Sequence, residues 1–153
     1  MIDTIAPVTR PTAPKLQRLY QDWDDRRQGR EFPTRADFAP DELKYILGNL
    51  SIVDVTYNPL NFRYRIYGTK LTNRLGKEMT NKSVDEFPSQ QHSALARAHF
   101  TEVVEYRVPI AHVRYHLSNK SDSPPECEVL VLPLSDDGKT IDRLMVAFEW
   151  HKE

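Results

Sequence analysis

Five β-rich segments, two before and three after one long helical segment, constrain the fold of this chain most strongly. The first two are "NLSIVDVTYN" and "FRYRIY", with turn chemistry at Asn58-Pro59-Leu60-Asn61 between them. The last three are "VPIAHVRYHL", "ECEVLVLPL" and "RLMVAFEW", separated by a Ser/Pro loop and by the turn signal Asp136-Asp137-Gly138-Lys139. Hairpin-like connections of this kind favour antiparallel pairing. We therefore predict an α+β fold in which one five-stranded antiparallel sheet carries helices on one face.

Two longer helices complete this pattern. Apolar residues recur at i, i+3, i+4 and i+7 from Pro14 onward and predict an amphipathic helix over residues 14–28, ended by Gly29. Its apolar stripe must be covered by the domain or by a second chain, and it is our candidate dimer or partner interface: Leu16, Leu19, Tyr20 and Trp23. The longest helix is predicted from Pro88 to Tyr106, before Pro109.

Length and charge limit the classes of function. The 153 residues fit one domain, assigned to residues 14–153 after a flexible tail over residues 1–13. A net charge of −1 argues against bulk attraction to nucleic acid or to an anionic membrane. Since there is no signal-peptide pattern and no apolar run of bilayer length, we expect a cytoplasmic protein. The single domain takes up the 153 residues, so we expect no catalytic output domain of its own.

Several stretches, taken as a set, carry a family resemblance. They are Thr34-Arg35-Ala36-Asp37-Phe38 followed by Pro40, "ILGNLSIVDVTYNP", "FRYRIYGTKL" with Gly76, and "LVLPLSDDGKTIDRLMVAF". Together they cover residues 16–150 and resemble the PAS sensor domain, most closely small bacterial proteins made of little more than one such domain. The resemblance implies the strand order 2-1-5-4-3. It also implies that the long helix crosses the sheet and walls a small cavity.

One loop departs from the pattern of that family. Thr80-Asn81 stands where the resemblance implies a Thr-Gly dipeptide. Asparagine also adopts the left-handed conformation, so we expect the turn to be kept.

Side-chain parity on the strands and the faces of the helices select the candidate cavity residues. On the second strand, Phe62, Tyr64 and Ile66 are expected on one face, and Arg63, Arg65 and Tyr67 on the other. The full set of ligand-binding candidates is Tyr64, Leu71, Leu75, Leu95, His99, Tyr115 and Phe148.

His99 has two interpretations. It is either a core histidine bonded to a backbone group or a polar group that orients a ligand in the cavity. Some members of the family bind haem through a histidine of this helix, but nothing around His99 calls for haem. The light-sensing members carry a reactive cysteine in a polar motif that is absent here, so the single Cys127 is read as a strand residue and flavin is disfavoured. The cofactor therefore stays unknown.

The remaining polar residues are expected to be structural. His112, Arg114 and His116 form a stripe that we assign to a solvated face, with Val113 and Tyr115 inward. His112 and His116 lie about 13 Å apart and cannot share one metal ion. Arg63 and Arg65 are read as scaffold rather than as an anion site, and Asp54 is predicted to pair with one of them.

The resulting expectation is a stand-alone sensory or regulatory module that binds a small ligand, a signalling partner or both, and that is not an enzyme. A homodimer through the N-terminal helix is a further expectation. Two alternatives stay open. One is an interaction module with a filled core and no ligand. The other is a small enzyme on a similar scaffold, for which Asp54 or Asp142 would have to be a buried acid facing the helix.

Overall fold

A computed structural model describes residues 9–115 and 126–151 of the chain. In chain order the helices and strands are α1 (Pro14–Arg26), β1 (Leu50–Thr56), β2 (Asn61–Tyr67), α2 (Thr69–Leu75), α3 (Gln90–Tyr106), β3 (Ile110–Arg114), β4 (Cys127–Leu134) and β5 (Arg143–Trp150). Short 3-10 helices lie at Arg35–Asp37, Pro40–Leu43, Leu47–Asn49 and Val84–Glu86. Residues 1–8 of the predicted tail, and His116 with the predicted end of β3, lie outside the described residues.

The strands form a single antiparallel sheet. Their order is β2-β1-β5-β4-β3, with β5 in the centre and β2 and β3 at the edges. β4 and β5 pair over their whole lengths, and Ser51 of β1 lies opposite Val146 of β5. The predicted α+β class and strand order are confirmed.

Helices cover both faces of this sheet. Phe148 of β5 contacts the same interior space as residues of α3, whereas the next residue, Glu149, accepts a hydrogen bond from the backbone N–H of Lys15 at the start of α1. Since neighbouring strand residues point to opposite faces, α1 and α3 lie on opposite sides. This double cover explains why every residue of β4 is buried.

The first turn of α1 is fixed to the sheet by a buried carboxylate. Glu128 of β4, 4% exposed, accepts hydrogen bonds from the backbone N–H groups of Thr12 and Ala13 and from the Thr12 hydroxyl, at 2.7–3.2 Å. Farther along the helix, the indole N–H of Trp23 donates to the Pro133 carbonyl at 2.8 Å.

The apolar stripe of α1 is covered by its own chain. Leu16 and Leu19 are fully buried and Trp23 is 4% exposed, while Tyr20 is half-buried. Of the two covers that the sequence allowed, the sheet is therefore the one that buries the stripe. These side chains are not available to a partner unless α1 detaches.

A β-bulge changes the predicted parity of β2. Between Ile52 and Val53 of β1 the register shifts, so that Ile52 lies opposite Ile66 while Val53 lies opposite Tyr64. The additional residue in β2 turns the end of the strand over. Tyr67 is therefore buried with Phe62 and Tyr64, and Ile66 is 41% exposed, which makes the predicted faces of Ile66 and Tyr67 wrong.

Two residues with a left-handed backbone form turns in the following segment. Gly76 caps α2 in the left-handed conformation at φ 85°, where a glycine carries no Cβ penalty. Asn81 takes the place of glycine at φ 67° and keeps the turn, as expected. In the described part of the chain, no helix is long and apolar enough to cross a membrane.

Candidate functional site

A small interior cavity lies between α3 and the sheet, with a volume of about 10 Å³, or roughly one water molecule. Strand alternation and the β2 bulge direct its sheet residues inward, and i, i+4, i+8 spacing places its three α3 residues on one helical face. The residues that line it are Ser51, Tyr64, Tyr67, His92, Ala96, Phe100, Arg114, Val146 and Phe148.

Three polar atoms of residues that line this cavity have no hydrogen-bond partner among the described residues. They are the hydroxyl of Ser51, the phenol oxygen of Tyr67 and Nδ1 of His92, on residues that are 1–7% exposed. An unsatisfied buried polar group costs about 1–3 kcal/mol, so such groups rarely persist without a ligand or an ordered water. Their convergence on one cavity marks a place that can hold a polar guest.

Arg114 of β3 brings a guanidinium into the same interior. The side chain is 5% exposed and its Nη2 donates to Nδ1 of His99 at 2.8 Å. On its other side, the His99 ring is 2.9 Å from the Ile110 carbonyl through Nε2. Because a carbonyl only accepts and a guanidinium only donates, His99 is the neutral tautomer with its proton on Nε2.

Burial keeps the other groups of the site uncharged. It lowers the pKa of His92 to about 4, and it holds the pKa of His99 well below 6.5, with the Arg114 charge acting in the same direction. Burial also raises the pKa values of the Tyr64 and Tyr67 phenols. At neutral pH, Arg114 is thus the charged group among the residues that line the cavity.

A second concavity lies outside, in a groove between α3 and β3. Its volume is about 660 Å³ and it is open to solvent. Its apolar side chains include Leu95, Tyr106 and Val113, which are 40–48% exposed, and Glu102 Oε1 lies 2.7 Å from His112 Nε2 at its side. Arg114 lines both this groove and the interior cavity, and His99, to which Arg114 donates, lines the groove.

The structure distributes the seven predicted ligand residues over several places. Tyr64 and Phe148 line the interior cavity. His99 does not line it but accepts a hydrogen bond from Arg114, which does. Leu71 and Leu75 pack into the core without lining the cavity. Leu95 lies in the outer groove and Tyr115 is 50% exposed, so neither lines the interior cavity.

The predicted faces of β3 are wrong. Arg114 points inward and His112 points to α3, whereas Val113 and Tyr115 are exposed. Strand alternation allows either face of β3 to point inward. Because polar residues usually face solvent, the sequence favoured the apolar face as the inward one. The pair of histidines one heptad apart on α3, His92 and His99, was the signal that its inward face is polar.

The interpretation of Cys127 as a buried strand residue is consistent with its surroundings. The thiol is free and fully buried, and burial raises its pKa to about 12. A thiol of this kind is a poor nucleophile and a poor metal ligand. No cluster of histidine, cysteine and carboxylate residues suited to a metal ion occurs within residues 9–115 and 126–151.

The carboxylates required by the enzyme alternative lie elsewhere. Asp54 is bound by Arg65 through Nε and Nη2 at 2.9 and 2.7 Å, which confirms the predicted ion pair across the hairpin. Asp142 is half-buried in the turn before β5, where it accepts from the backbone N–H of Asp136. Neither residue lines the cavity under α3.

Comparison with known proteins identifies the family. The model of the PAS domain family matches residues 12–148, which is nearly the whole chain. A search of curated proteins gave no match. The matched region contains α1, all five strands except the last two residues of β5, and the cavity residues described above. The chain belongs to the PAS domain family.

Proposed function

We propose that this PAS domain is a ligand sensor whose ligand occupies the interior cavity under α3. PAS domains are in general sensory or regulatory modules. The observation that carries the proposal is the convergence of three unpartnered buried polar atoms, those of Ser51, Tyr67 and His92, on one cavity. A ligand that bonds to them removes a cost that the apo protein carries.

The long helix α3 is the element that reports occupancy. It contributes His92, Ala96 and Phe100 to the cavity, and its residues also form one wall of the outer groove. A ligand can shift a conformational equilibrium only through contacts that differ between two states. A change in the position of α3 would alter both the cavity and the groove, where a signalling protein would read it.

The second candidate function is an interaction module without a ligand. The small size of the cavity favours it, because about 10 Å³ leaves room for little more than one water molecule. The outer groove, with its exposed Leu95, Tyr106 and Val113, would then be the functional surface.

A cavity-filling substitution separates the two functions. Ala96 is 1% exposed and lines the cavity, whereas Ala94 is exposed on the same helix. Ala96→Val and Ala94→Val carry the same helix-propensity cost, so their difference reports the cavity alone. The wild type and both variants are screened against small polar metabolites by thermal shift, and the purified proteins are weighed by native mass spectrometry.

If the chain is a ligand sensor, we expect a compound that stabilises the wild type and Ala94→Val, and whose affinity for Ala96→Val is at least tenfold lower. An extra mass on the wild type that is absent from Ala96→Val has the same meaning. If the chain is an interaction module without a ligand, we expect no stabilising compound and no extra mass on any of the three proteins.

A further inference from the structure

Arg114 is a buried cation without a buried counter-ion among the described residues. It is 5% exposed, and no carboxylate in residues 9–115 or 126–151 makes an ion pair with it. Buried charges in proteins are otherwise paired, because transfer of an isolated ion from water is very costly. No carboxylate of the described residues therefore offsets the charge.

The one hydrogen bond described for the guanidinium does not supply that charge. It goes to Nδ1 of His99, which is a neutral acceptor because its Nε2 proton faces the Ile110 carbonyl. Burial lowers the pKa of Arg114 without a carboxylate to oppose it. An arginine has five donor N–H groups, so this bond leaves most of them for another acceptor.

The unpartnered atoms of the residues that line the cavity also suit a ligand that accepts hydrogen bonds. The Ser51 and Tyr67 hydroxyls can each donate a hydrogen bond, and Nδ1 of His92 can donate in one of the two neutral tautomers. No aspartate or glutamate lines the cavity. Three groups that can donate and one positive charge therefore line a cavity where the described side chains offer no negative charge.

We propose that the interior cavity is a binding site for a compact monovalent anion, a halide or a small planar oxyanion, held by Arg114 together with Ser51, Tyr67 and His92. This inference rests on the proposed ligand-sensing function and gives the chemical class of the ligand. Planar oxyanions suit the forked donors of a guanidinium. The cavity volume of about 10 Å³ restricts the guest to one of the smallest anions unless neighbouring side chains move.

The test follows unfolding by urea at constant ionic strength while sodium gluconate, whose anion is too large for the cavity, is replaced by chloride, bromide, nitrate or formate. A ligand that binds only the folded state raises the unfolding midpoint with the logarithm of its concentration above Kd. Three full-length proteins are compared: the wild type, Arg114→Met and Arg63→Met. Arg63 is exposed on β2 and donates to the Asn81 carbonyl, so its loss changes the net charge equally at a surface position.

The proposal predicts that at least one anion raises the midpoint of the wild type and of Arg63→Met, and leaves Arg114→Met unchanged. In gluconate, Arg114→Met removes the buried charge but also leaves Nδ1 of His99 without its donor, so the response to anions, and not the stability in gluconate, decides the test. Tyr67→Phe, which removes only a hydroxyl, should weaken the anion affinity about fivefold.

Three results would overturn the anion site. One is an equal response of all three proteins, which is a general salt effect. Another is the absence of any response in the wild type. The third is a neutral compound that binds wild type and Arg114→Met alike but not Ala96→Val. That third result would leave the sensor function standing and reject only the ligand class.

Discussion

At the scale of single residues, the cavity depends on histidines that stay neutral. His92 packs against Phe87, with ring centroids 4.0 Å apart, and burial lowers its pKa from 6.5 to about 4. Protonating it in place would add a second positive charge near Arg114. Arg114 is therefore the only charged one of these two side chains when the pH is above the pKa of His92.

This neutrality predicts a pH dependence of stability. Between pH 6.5 and 4 the unfolded chain binds a proton at His92 that the folded chain does not, so the free energy of unfolding falls as the pH is lowered through that window. The contribution is fully present above pH 6.5 and amounts to about 3 kcal/mol. In gluconate, His92→Gln should lose less stability over this window in urea titrations. Parallel curves for the two proteins would contradict the assignment.

Single-residue parity was the part of the site that sequence reasoning predicted least well. Phe62 and Tyr64 were placed correctly by alternation, but the bulge opposite Ile52 and Val53 has no local signature such as a glycine. Tyr67 was therefore missed. Arg114 was missed for another reason, because a buried arginine contradicts the usual exposure of that residue type.

At the scale of elements, α1 is an integral layer of the domain. Its stripe is buried on β4 and β5, and Glu128 fixes its first turn through Thr12 and Ala13. The periodicity of the sequence predicted this helix to within two residues of its observed end at Arg26. It could not decide what covers the stripe, because that depends on tertiary packing.

Leu19→Ala tests the role of the stripe. Leu19 is fully buried, so the substitution should lower the free energy of unfolding by about 2–5 kcal/mol through lost burial and a cavity. The matched control is Leu47→Ala, at a leucine that is 42% exposed, where a change within about 0.5 kcal/mol is expected. Urea unfolding measures both, and light scattering measures the molar mass.

The mass should be the same in the wild type and Leu19→Ala. If Leu19→Ala instead changes the molar mass with little effect on unfolding, the stripe belongs to a subunit interface, as one interpretation of the sequence had it.

At the scale of the whole molecule, helices cover both faces of the sheet, and a polar cavity lies between α3 and the sheet in the part of the chain that the structure describes. The strand order was predictable because the hairpin connections and the family resemblance agree, and the pairing of all five strands confirms it. Every residue of β4 is buried between the helices on the two faces of the sheet. Arg114, on the neighbouring edge strand β3, nevertheless places a charge beneath α3. A stable core alone does not require such a group, and this is why we propose that it binds a ligand.

The most direct test is a crystal structure of the full chain grown with sodium bromide, measured at the bromine absorption edge. We expect an anomalous peak in the cavity, against the Arg114 guanidinium and beside Tyr67 and His92. The same peak should be missing from crystals of Arg114→Met, while surface bromide sites persist. An empty or water-filled cavity next to an unmoved Arg114 would contradict the account.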